Sequence, residues 1–268
     1  MTSFSPEDLN QTTPAWFFTR WITHFCAPIF VFLAGISSYL FYQKIQNKKT
    51  LSIFLLKRGI WLILLEILWV NFSWTLDFPT NKGFIFLQVI WVIGISMILL
   101  AALIHLPRIA LLTFSALLVL GHNLLDHIQP ESWGSFDWLW KTLHGSFSFI
   151  PITDNFGFLI VYAVIPWVAV MTAGYLFGFV FTLSKERRNK WLIYTGSLAI
   201  LLFILLRGFN IYGDPSPWSI QERGSIFSLL SFLNVNKYPP SLSYLLMTIG
   251  SSMFLLYTFE NWVASFWN

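Results

Sequence analysis

Residues 19–42 read TRWITHFCAPIFVFLAGISSYLFY, and no Asp, Glu, Lys or Arg stands between Arg20 and Lys44. An α-helix needs about 20 mostly apolar residues to cross the hydrocarbon of a bilayer. This run therefore predicts a membrane-crossing helix, and Pro28 inside it predicts a kink whose freed carbonyl must find a partner within a bundle. Working outward, six further segments meet or approach the same length: 51–72, 84–104, 108–125, 156–182, 191–207 and 241–260. The fourth is the weakest, being short and started by Pro107, and Pro166 predicts a second kink in the fifth. The expected fold class is all-α, a polytopic transmembrane helix bundle of about seven spans. Residues 1–268 read as a single transmembrane domain, without repeat or low-complexity tract.

Composition supports lipid as the solvent. Hydrophobic residues make up 56% of the chain and charged residues 10%, where soluble domains carry roughly 25% charged residues. A chain so poor in charge cannot coat a water-facing surface. Its 14 Trp and 28 Phe supply lipid-facing bulk and interfacial anchors. Cys26 is the single cysteine, which excludes an intrachain disulfide and a cysteine metal cluster. The N-terminal arm MTSFSPEDLNQTTP holds Glu7 and Asp8 and no basic residue before Arg20, so it lacks a signal peptide's basic region and the first stretch reads as a retained helix.

The net charge of +4 is explained by orientation rather than by nucleic acid. Lys44, Lys48 and Lys49 lie between the first two spans, with Lys57 and Arg58 at the start of the second, and Lys185, Arg187, Arg188 and Lys190 lie between the fifth and sixth. With four helices separating them the clusters share one side, which the positive-inside rule makes cytoplasmic. The N-terminus is then expected outside and the C-terminus in the cytoplasm, with loops 126–155 and 208–240 outside. Gly174 and Gly178 in GYLFG stand four apart, a spacing that lets helices approach closely.

Ionisable groups within lipid are costly and so mark candidate chemistry. Glu66, in WLILLEILWV, is the clearest buried ionisable residue; it reads either as an acid hydrogen-bonded to a neighbour or as a catalytic or transport group. His24 lies near the outer end of the first span, as an interfacial hydrogen bonder or a base. In LGHNLLDH, His122 and Asp126 stand at i and i+4, on one face if the fourth helix continues, and a carboxylate on one imidazole nitrogen makes the other a better base. The bland alternative is a polar helix end meeting water. A metal site from His122, Asp126, His127 and His144 has no known ligand spacing, and no metal is assigned. In the second outer loop Arg207, Asn210 and Lys237 are candidate acceptor-binding groups, Trp218 a candidate anchor, and Pro239–Pro240 the expected start of the last helix.

Five segments, in order, carry a resemblance: QTTPAWFFTRWITHFCAPIFVFLAG (11–35), LGHNLLD (120–126), PWVAVMTAGYLFG (166–178), NIYGDPSPW (210–218) and VNKYPPSLSY (235–244). Together, over about residues 5–260, they resemble bacterial membrane proteins related to the catalytic domain of heparan-alpha-glucosaminide N-acetyltransferase. The resemblance implies a polytopic acyltransferase-like fold, with acetyl-CoA or another acyl-CoA as co-substrate and no covalently bound cofactor. It implies an amine or hydroxyl of a sugar or envelope molecule as acceptor, and a bacterial inner membrane as the location. Such proteins usually begin with one more helix ending in an Asp-His pair and end with further helices, so the chain corresponds to their middle portion. No residue here takes the position of the family's active-site histidine.

The leading expectation is an acyl transfer with His122 as base, Asp126 as its orienting carboxylate and His24 as a second base. Membrane lipids and the acceptor are the expected partners, and the sequence sets no oligomeric state. The alternatives are a small-molecule transporter, against which no paired halves are seen, and a non-catalytic or truncated membrane subunit.

Overall fold

The computed structural model of the chain describes residues 5–76 and 83–266. The first four residues of the N-terminal arm, residues 77–82, and the last two lie outside the described residues. The chain forms two compact units, one of Met1–Ile29 with Leu183–Asn268 and the other of Phe30–Thr182.

The first unit opens with α1 (Pro14–Trp21), where Pro14 occupies the first turn and the Thr13 hydroxyl accepts the Trp16 amide at 3.4 Å. A 3₁₀ turn, Ile22–Phe25, leads into α2 (Cys26–Ile45). The same unit holds α9 (Lys185–Gly208), α10 (Ser225–Leu233) and α11 (Leu242–Phe266). Helices α9 and α11 pack together, with Gly196 set against the Gly250 carbonyl and the Met253 side chain. Arg188 ion-pairs with Glu260 between them. The expected proline start of the last helix is corrected here: Pro239 and Pro240 precede α11. The helix is opened instead by Ser241, whose hydroxyl accepts the Tyr244 amide at 3.0 Å as a capping serine does.

The second unit takes over within α2 at Phe30 and continues through α3 (Lys48–Leu65), a π-helical turn at Glu66–Val70, and α4 (Asn71–Thr75). Next come β1 (Gly83–Leu87), α5 (Val89–Leu103), α6 (Arg108–Gly121) and a 3₁₀ turn at His122–His127. It closes with α7 (Asp137–Leu143), β2 (Ser148–Thr153), β3 (Phe156–Ile160) and α8 (Val164–Phe177). Helix α8 is the core of this unit: nearly every residue from Val164 to Leu176 is buried, and both α5 and α6 pack on it. The GYLFG glycines act as expected. A side chain at Gly174 would strike the Phe32 carbonyl and one at Gly178 the Tyr39 side chain, so only glycine lets α8 lie this close to α2. Large apolar side chains point outward elsewhere, among them Trp61, Trp69, Ile109 and Leu117, each more than half exposed. In water such faces would be a liability; in hydrocarbon they are the expected surface.

Among the described residues, five helices are long and apolar enough to cross a membrane: Pro14–Ile45, Arg108–His127, Val164–Thr182, Lys185–Gly208 and Leu242–Trp262. The expected second span corresponds to α3 with its π turn and α4. Two expected spans differ at their starts. Residues 83–87 and 156–160 are strands rather than helix, joined with β2 in a sheet of order β1-β3-β2. Strand β1 runs parallel to β3, and β2 antiparallel, with an irregularity between Pro151 and Thr153. Gly157 permits the closest part of this pairing, since a side chain there would meet the Ile150 carbonyl and the Phe149 ring.

Candidate functional site

Within the second unit, the α6 helix tightens to a 3₁₀ turn at His122, and this changes the partner of Asp126. Over four residues an α-helix leaves two side chains about 40° apart, whereas a 3₁₀ turn leaves them about 120° apart. The expected one-face pairing of His122 with Asp126 is therefore replaced. Asp126 Oδ1 accepts from His144 Nε2 at 2.8 Å, and Asp126 Oδ2 accepts from the Asn123 amide at 2.8 Å. His144 sits one residue past the end of α7 and is 5% exposed. Because a carboxylate only accepts, Nε2 carries the proton, and Nδ1 is left with a lone pair. That Nδ1 is buried and has no hydrogen-bond partner among the described residues. The buried Trp140 ring lies 5.5 Å from the His144 ring, stacks on Trp133 and is fixed by an Nε1 bond to the Ile128 carbonyl at 3.0 Å.

His122 is also buried, its ring 6.3 Å from that of His144. Its Nδ1 lies 3.0 Å from both the Leu118 and Val119 carbonyls, so Nδ1 carries the proton. His127 is exposed. Among the described residues no group of three or more His, Cys, Asp or Glu side chains is placed to hold a metal ion. Helix α7 also walls a cavity of about 610 Å³ with Asp137, Trp138, Lys141 and Thr142, facing Trp91 and the sheet. Lys141 donates to Asp137 at 2.5 Å and holds that carboxyl below its usual range.

The first unit gathers a second polar cluster. His24 is 2% exposed, with Nδ1 3.3 Å from the Arg20 carbonyl and Nε2 3.7 Å from Glu7, which also pairs with Arg20 at 3.2 Å. Tyr244 donates to the His24 carbonyl at 2.6 Å, and the buried Lys237 acts on the imidazole electrostatically. Arg207 lies in the same unit with its donors spent internally. Nε bonds the Phe232 carbonyl, Nη2 those of Ser231 and Asn234, and Nη1 that of Ser216, with Asp214 at 3.4 Å. Asn210, at φ +50, is paired at both ends of its amide with the backbone of Trp218. Trp218 in turn meets Phe232 edge-on. Both Arg207 and Asn210 thus shape the loop after α9.

Glu66 is fully buried, as expected of the clearest ionisable residue. Its oxygens accept the amides of Gln88 and Trp91 at 3.2 Å each, at the start of α5, and Asn71 links the Glu66 carbonyl to β1 through Phe86. It answers the orphan amides of a helix N-terminus, which is its structural reading. Sequence reasoning missed His144 as the partner of Asp126. No periodicity connects positions 18 apart across a turn-rich segment; the sequence grouped the two residues only as possible ligands of a metal site within the loop 126–155.

The helices and their lipid-suited surfaces define a membrane protein of mostly α-helical build. Residues 4–212 match the family described as Heparan-alpha-glucosaminide N-acetyltransferase, catalytic, and the chain belongs to that family. It is a membrane acyltransferase-like protein. Segments 11–35, 120–126 and 166–178 lie inside the match, whereas 210–218 runs past its end and 235–244 lies beyond. No curated protein and no solved structure matches the chain.

Proposed function

We propose that this protein transfers an acetyl or other acyl group from acyl-CoA to an amine or hydroxyl of a sugar or envelope molecule. The observation that carries the reading is the Asp126–His144 pair, whose remaining imidazole nitrogen is buried without a partner among the described residues. Asp126 holds the tautomer, and Nδ1 of His144 is the base. The acceptor gives its N–H or O–H proton to Nδ1 as its nitrogen or oxygen bonds to the thioester carbonyl carbon. The carbon–sulfur bond breaks, and the proton passes to the departing CoA thiolate. His122 is the neighbouring imidazole, and the cavity beside α7 gives the acceptor room. Taken by itself, the first unit offers His24, backed by Glu7, as a second candidate base, with Lys237 as a candidate for an anionic group. The proposed setting is a bacterial inner membrane, with the N-terminus outside and the donor arriving from the cytoplasm.

The test incubates membranes containing the protein with labelled acetyl-CoA and an envelope extract, then identifies the labelled product. Positioned general bases contribute about 10²–10⁴-fold, so His144→Ala and Asp126→Asn are expected to lower labelling by that order. Labelling that is undiminished in His144→Ala would remove the pair from the mechanism. Solute uptake into proteoliposomes without any acyl donor, and no labelled product, would overturn the reading.

A further inference from the structure

At one end of the second unit, two helices begin beside the same pocket. Lys48 is the first residue of α3 and Arg108 the first of α6, and both line a cavity of about 210 Å³ with Tyr39, Tyr42, Gln43 and Tyr175. Neither helix has an acidic residue in its first turn, and α6 opens on Pro107 without a side-chain cap. Helix N-termini carry partial positive charge, and here each adds a full cation at its first position; Asn47 already accepts the Thr50 amide of α3 at 3.0 Å, which leaves uncapped amides at the start of α6. Among the described residues no carboxylate lines the pocket, and neither Lys48 nor Arg108 has an ion-pair partner. Arg108 lies over the Phe179 ring at 5.0 Å.

A second observation points to a ligand. Tyr175 is 6% exposed, lines the pocket, and meets Tyr39 edge-on at 5.6 Å, yet its hydroxyl makes no hydrogen bond among the described residues. A phenol carried on the most buried helix of the unit and left unbonded at a cavity wall is a donor awaiting an acceptor. Two cations, two helix starts and an unspent hydroxyl converge without any acidic counterweight.

We infer that this pocket binds a phosphate ester, with Lys48 and Arg108 neutralising its charge and Tyr175 donating to one of its oxygens. The same chemistry is offered by a soluble nucleotide and by the headgroup of an anionic lipid. The inference does not depend on the acyl-transfer reading, because it concerns binding alone.

The experiment reconstitutes the full chain in phosphatidylcholine nanodiscs and titrates ADP by calorimetry. A parallel arm counts phosphatidylglycerol retained by the protein in native mass spectrometry. Saturable binding of one probe is expected, and the arm in which it appears identifies the source. The double substitution Lys48→Gln/Arg108→Gln changes two exposed side chains and should leave the melting curve in place. It is expected to weaken binding by about tenfold or more, the scale of lost charge-assisted bonds. Tyr175→Phe should weaken it by several-fold, the loss of one neutral donor. Absence of binding in both arms, or equal binding by the double variant, overturns the inference.

Discussion

Two buried pairs of opposite chemistry, Asp126–His144 in one unit and Arg207–Asp214 in the other, look alike in a contact map and differ in what they leave unspent. Arg207 bonds four backbone carbonyls besides Asp214, so its donors have no capacity for a ligand. His144 spends one nitrogen on Asp126 and keeps the other buried and, among the described residues, unbonded. A saturated pair holds a loop in place; an unsaturated pair retains chemistry. Burial and charge, which drew attention to both residues, do not separate them. The count of open valences does.

Substitutions can break that contrast. The largest effect belongs to His144→Ala, which should abolish most acyl labelling of membranes while the protein remains folded by its melting curve. If labelling and melting fell together, His144 would stand with Arg207 as a structural group. Arg207→Ala should do the reverse. Removing one partner of a buried ion pair costs about 3–5 kcal/mol, so thermal unfolding in detergent should move to clearly lower temperature, with labelling per folded molecule retained. A smaller loss is expected from Glu66→Ala, which strips the start of α5 of its acceptor. Unsatisfied buried donors cost about 1–3 kcal/mol, and hydrogen exchange at Gln88 and Trp91 should rise before that of α8. The smallest effect is at Asp137, whose carboxyl Lys141 holds below its usual range. A depressed carboxyl contributes stability above its unfolded pKa and loses it as pH falls through the folded one. The small melting difference between wild type and Asp137→Asn should therefore be present near neutral pH and vanish below about pH 4.

The helical build was legible because hydrocarbon demands long apolar runs, and residues 19–42, 108–125 and 241–260 supply them. The strands were not, because GFIFL and FGFLI are as apolar as the helices they precede, and periodicity alone does not separate a short apolar strand from a helix. Gly157 was the available hint, an isolated glycine inside an apolar run. At the candidate site, Asp126 was legible from its place at a helix end. Its partner was not, because the reasoning assumed 3.6 residues per turn where the chain winds at about three. Glu66 was recognised as buried, while its role at the start of α5 depends on a fold that sequence spacing of 22 and 25 residues does not announce.

The parallel pairing of β1 with β3 has a consequence for how the chain is threaded. Strand β1 hands the chain to α5 and the central strand β3 hands it to α8, so both helices are launched from the same end of one small sheet. A chain that departs twice from one end must travel back in between, and the stretch holding α6 and α7 is part of that return journey. His144 lies on the return, four residues before β2 fastens it to β3. The sheet therefore works as a departure gate with a fixed register, and whatever shifts that register would carry the imidazole with it.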